Sequence, residues 1–109
     1  MPVWSDWRST VRFGDDGPGV TVLYESSELK VVLVGLRAGQ SLPEHPGPAA
    51  SFHFLDGAAV MSVGSERIEV TAGATVVVPP GGARGVRAVT DVVFLGSLAD
   101  PASEDTPAR

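Results

Sequence analysis

An all-β sandwich or barrel is the fold class this sequence predicts, and three observations carry the prediction. Short apolar, β-branched runs recur with turn signals at intervals of about 8–12 residues, the spacing of sandwiches and barrels. No stretch holds its apolar residues at the i, i+3, i+4 spacing of a helix face. Thirteen glycines and nine prolines are spread along the 109 residues rather than clustered, which suits many short elements joined by tight turns.

The elements follow in order. Residues 1–19 are mixed: Trp4, Trp7 and Phe13 lie among charges, and the stretch closes on the turn cluster "GDDGPG". "VTVLYES" (20–26) alternates as a strand does. "LKVVLVGLRAG" (29–39) is a strand too rich in Val and Leu to leave one face in water. "SFHFL" (51–55) is closed by Asp56-Gly57, a favoured tight-turn pair. "AAVMSVG" and "RIEVTAG" form a hairpin across "GSE". "ATVVVPP" (74–80), "GVRAV" (85–89) and "DVVFLGSL" (91–98) complete the set. The expected organisation is one domain: an N-terminal segment over 1–28, a barrel core over 29–98 and a flexible polar tail over 99–109.

Composition excludes several functions. A hydrophobic fraction of 43% is that of a folded chain, not a disordered one. The net charge of −5, with no basic stripe interleaved with aromatics, argues against nucleic-acid binding. The absence of cysteine removes disulfides, thiolate nucleophiles and zinc–thiolate sites. Apolar runs of about five residues are far short of a membrane span. The opening "MPVWSDWRST" lacks the basic-then-apolar pattern of a secretory signal. A soluble cytoplasmic protein is the expectation.

Two stretches carry a resemblance. Gly73, Pro79 and Gly81 have the spacing Gly, five residues, Pro, one, Gly. In the cupin family, whose members are small jelly-roll β-barrels, that pattern is the second of two paired motifs and continues with two residues, His, three and Asn. Arg84 stands at the His position and Ala88 at the Asn position. The first motif is Gly, five residues, His, one, His, three or four, Glu, six, Gly. Gly39 and His45 resemble its start and Gly57 its end. Counted from Gly39, His45 is the first histidine and Gly47 replaces the second. Counted back from Gly57, His45 is the second, Pro43 replaces the first and Ala50 the glutamate. The resemblance covers about residues 29–98. It implies a cupin-type double-stranded β-helix and a homodimer, with the 1–28 segment packing across the interface. Cupin metal sites resemble three histidines and a glutamate converging inside the barrel, and here most of those positions have changed.

The candidate site residues follow. His45 at the barrel mouth is a candidate ligand-binding residue, general acid/base or metal ligand, or else a loop histidine without a role. Arg84 is a candidate anion hook, because a guanidinium presents a rigid donor fork to a carboxylate or phosphate. It reads equally as a solvated turn residue or a partner of Glu44. As a permanent cation it cannot ligate a metal. Alternation puts Phe52 and Phe54 inward and His53 outward, unless a bulge turns His53 inward as a replacement ligand. His45 and His53 alone do not make a metal site, so a divalent transition metal is disfavoured and no cofactor is expected. Phe52, Phe54 and Met61 are candidate ligand-contacting residues within a lining that includes Val63, Val76, Val78, Val86 and Phe94, all of which read equally as core. Trp4 and Trp7 suit a barrel cap or a partner contact. Three functions fit these residues: a metal-free module binding a small, partly apolar, anionic molecule; an isomerase-, cyclase- or dioxygenase-like enzyme using His45; and a filled, purely structural barrel.

Overall fold

The computed structural model describes residues 1–100; residues 101–109, most of the predicted tail, lie outside the described residues. Among the described residues the chain forms one short 3-10 turn, Trp7–Ser9, and nine strands. These are β1 (Gly19–Glu25), β2 (Leu29–Leu36), β3 (Ser41–His45), β4 (Ala50–Asp56), β5 (Ala58–Val63), β6 (Glu66–Thr71), β7 (Thr75–Val78), β8 (Arg84–Ala88) and β9 (Val92–Ala99). Ala99, assigned to the tail from sequence, is the last residue of β9 and pairs with Leu29. No helix among the described residues is long and apolar enough to cross a membrane.

One strand was not visible in the sequence pattern. β3 reads "SLPEH", with one apolar residue apart from its proline, so period-two alternation has nothing to register. Its pairing with β8 breaks register between Leu42 and His45, where Pro43 supplies no N–H. An edge position tolerates that, and β3 is the outermost strand of its sheet. His45 is therefore a strand residue rather than a loop residue.

The pairing has a nested form. β2 pairs with β9, β3 with β8, β4 with β7 and β5 with β6, every pair antiparallel. The chain from β2 to β9 is thus one long hairpin whose tip is the Gly64-Ser65 turn. Its two arms cross together between a five-stranded sheet, β1-β2-β9-β4-β7, and a four-stranded sheet, β3-β8-β5-β6. Successive turns are joined by β4–β9 and β5–β8 pairing. This is the jelly roll, a double-stranded β-helix.

Alternation then decides what lies between the sheets. On β4, Ala50, Phe52 and Phe54 are buried, while Ser51, His53 and Leu55 face the other way. Phe54, Phe94, Leu36, Met61 and Val78 are fully buried, and the rings of Phe54 and Phe94 pack at a tilt of 41° with centroids 5.3 Å apart. β2 is buried on both faces from Val32 to Leu36. Its inner residues Val32 and Val34 join the core between the sheets. On the outer face, Leu33 lies with Leu95, Trp4 and Trp7 along a groove of about 430 Å³. The tryptophans thus lie over the back of the five-stranded sheet rather than capping the barrel.

The β4–β5 corner depends on Gly57. Its φ is +85°, and a Cβ there would run into the carbonyl oxygen of Asp91 and sit 2.9 Å from Val92 Cα. Gly39 has nearly the same φ, +87°, but open space around it. Gly57→Ala is therefore expected to cost at least about 2 kcal/mol, with Gly39→Ala limited to the backbone strain of about 1 kcal/mol. Urea midpoints at constant slope measure both, and equal losses would contradict the steric argument.

Candidate functional site

Strand register stacks the inward-facing side chains in rows. Across β2, β9 and β4 the first row is Lys30, Leu98 and Ala50; next come Val32, Gly96 and Phe52, then Val34, Phe94 and Phe54. Across β3, β8 and β5 the first row is His45, Arg84 and Val63, followed by Leu42, Val86 and Met61. The Arg84 guanidinium reaches the carbonyls of Gly47 and Pro79, which flank the Ala50–Val78 pair. The two cation-bearing rows therefore lie at the same end of the barrel.

A cavity of about 160 Å³ opens between the sheets at that end. Its polar wall is formed by Lys30, His45 and Arg84, and its apolar wall chiefly by Val32, Leu42, Phe52, Val86, Phe94 and Leu98. Lys30 was not singled out from sequence. The signal was present, because period-two alternation through Val34 and Val32 places residue 30 on the same face. The type of residue, a lysine at a strand start, concealed it.

Arg84 is neither a turn residue nor solvated. It opens β8 and is 3% exposed. Nε donates to the Gly82 carbonyl at 2.8 Å, and Nη2 to those of Gly47 at 3.2 Å and Pro79 at 3.4 Å. A buried cation is tolerated when oriented dipoles replace its hydration, and charge-assisted bonds do this best. Gly47 also makes room: a Cβ there would lie 3.3 Å from Nη1.

His45 is exposed at the rim and pairs with Arg84 across β3 and β8. Its Nδ1 lies 3.1 Å from the Pro43 carbonyl. A carbonyl only accepts, so Nδ1 carries the proton in this contact and Nε2 is the acceptor of the neutral ring. His53 is not brought to the cavity. It lies on the outer face of β4 with Nδ1 2.7 Å from Thr75 Oγ1, on the neighbouring β7. The structure therefore does not join His45 and His53 in one ligand set. Phe52 lines the cavity, but Phe54 and Met61 do not: both are fully buried in the core, although Phe94 and Val86, their neighbours in the same rows, reach its wall.

Among the described residues there is no group of three or more His, Cys, Asp or Glu side chains that could hold a metal ion. Where the motif's last histidine would stand, Arg84 puts a fixed positive charge beside any incoming cation.

Comparison with known proteins adds the following. Residues 32–95 match the Cupin domain family. An RmlC-like cupin protein from Desulfovibrio desulfuricans superposes with a TM-score of 0.75 at 33% identity, over 83% of this chain and 89% of that one. A conserved protein of unknown function from Streptococcus pyogenes gives 0.83 at 24% identity, over 93% and 90%. An uncharacterised protein with a double-stranded β-helix domain from Klebsiella pneumoniae gives 0.84 at 21%, over 93% and 91%. The comparison with curated proteins found no match.

The carbonyl cradle around Arg84 predicts that Arg84→Lys destabilises the fold. An ammonium is a point donor and cannot reach carbonyls at residues 47, 79 and 82 with the geometry of a planar fork. The expected loss is about 1.5–3 kcal/mol in chemical denaturation, the worth of charged hydrogen bonds in a buried site. A loss below about 0.5 kcal/mol, the scatter of ordinary surface substitutions, would contradict it.

Proposed function

The chain belongs to the cupin domain family, and on that premise we propose that its barrel is a binding module for a small, partly apolar, anionic molecule, held without a metal ion. Arg84 and His45 are the polar anchors. One observation carries the reading: every polar side chain on the described cavity wall is basic, and the remaining wall is apolar. This is not a consequence of composition, because the chain as a whole carries a net charge of −5. A low-dielectric pocket strengthens attraction between its cations and an incoming anion. The presence of the cavity at Arg84 and His45 supports a ligand over the purely structural alternative of a filled barrel.

The size of the ligand follows from the space. A cavity of about 160 Å³ is close to the roughly 150 Å³ that accommodates benzene in an engineered protein core. Benzoate and hexanoate are therefore suitable probes, with benzyl alcohol as the uncharged control of similar size.

In titration calorimetry and thermal shift, both carboxylates are expected to bind and stabilise the protein, and benzyl alcohol to do so at least tenfold less tightly. His45→Ala, which removes an exposed side chain without disturbing the core, is expected to weaken carboxylate binding about threefold to fivefold. Equal binding of benzoate and benzyl alcohol would rule out the anionic reading. Elemental analysis of protein purified without chelators is expected to find no stoichiometric transition metal. One per chain, lost in His45→Ala, would overturn the metal-free part.

A further inference from the structure

We infer that Lys30 is a specificity-determining residue of this cavity, and that its ion pair with Glu25 is a latch a carboxylate ligand must release. The inference rests on the anion-binding reading and extends it by fixing how the ligand lies. Lys30 is the first inward-facing residue of β2, in the outermost row with Leu98 and Ala50. Its side chain lines the cavity and is about one-third exposed. Among the described residues it forms an ion pair with Glu25, its cross-strand partner at the β1–β2 hairpin, with Nζ to Oε2 at 3.9 Å. That is the long end of ion-pair geometry, and Glu25 is more than half exposed. Exposed pairs of this kind are weak and screened by solvent, so an anion presented from the cavity side can displace the glutamate.

The rows give the direction. Lys30, Arg84 and the His45 imidazole stand at the open end, and the rows below them carry Val32, Phe52, Val34 and Phe94. From Lys30 to Val34 is four residues of strand, about 13 Å at the usual rise. A ligand therefore lies with its carboxylate at the rim, between Lys30 of one sheet and the His45–Arg84 row of the other, and with its apolar tail inward. The ligand class is a short alkyl or aryl carboxylate. Reversing it would bury a carboxylate among phenylalanines and leave Lys30 without a part in binding.

A double-mutant cycle on benzoate affinity tests this, using the full chain. Lys30→Met keeps the stem and removes the charge; it is expected to weaken binding about fivefold. Glu25→Gln removes the competing carboxylate and is expected to tighten binding about threefold. In the Lys30→Met background Glu25→Gln is expected to change nothing, because there is no latch left to release. Unchanged melting temperatures before ligand addition verify that both variants fold. Benzoate binding within twofold of wild type in Lys30→Met would overturn the inference while leaving the anion-binding reading intact. An equal gain from Glu25→Gln with and without Lys30 would also overturn it, since Glu25 would then act through its field alone. Failure of the wild type to bind either carboxylate would overturn both readings together.

Discussion

The buried guanidinium of Arg84 is the constraint on which the open end of this barrel depends. It sits at the start of β8 and gathers carbonyls from two separate segments, Gly47 before β4 and Pro79 and Gly82 after β7. Those segments are the crossings by which the long hairpin passes from one sheet to the other. A cation held by backbone dipoles in this way does two things. It ties together the loops that frame the cavity, and it places positive charge on the wall. Preorganised charge of this kind does not need to be rearranged when a ligand arrives.

The nested pairing explains why the chemistry collects at one end. Each row of inward side chains is set by register alone, and a one-residue slip would exchange every inner residue for an outer one. Phe52 and His53 show the consequence: adjacent in sequence, one lines the cavity and the other bonds Thr75 on the outside. The same scaffold that converges imidazoles on a metal in other barrels here converges a guanidinium, an ammonium and one imidazole over an apolar floor. The fold is shared, and the site decides the chemistry.

Most of the fold was legible because its signals are local. The alternation in "SFHFL" and the Asp56-Gly57 turn specify β4 and its corner, and both are found in place. β3 was illegible because Pro43 and three polar residues leave no pattern, and its existence depends on β8 as a template. The environment of Arg84 was illegible for a different reason. An arginine next to glycines reads as exposed, and its burial depends on carbonyls as far as 37 residues away in the chain. Lys30 was concealed by the same habit of assigning charges to solvent, although about two-thirds of its side chain is covered and it lines the cavity. Phe54 and Met61 were placed on the correct face, but facing inward does not tell whether a side chain borders open space or is closed in by its neighbours, and both belong to the packed core.

The most direct test of this account is a nitrogen–proton correlation spectrum of the arginine Nε–H groups, recorded without and with benzoate. An arginine that is 3% exposed as a residue, with Nε–H donated to the Gly82 carbonyl, is shielded from water. The account predicts one Nε–H resonance that persists at a pH where those of exposed arginines are lost to exchange, is absent in Arg84→Lys, and shifts in a saturable way as benzoate is added. An Arg84 resonance that exchanges like the others, or one that is protected but indifferent to every carboxylate, would contradict it.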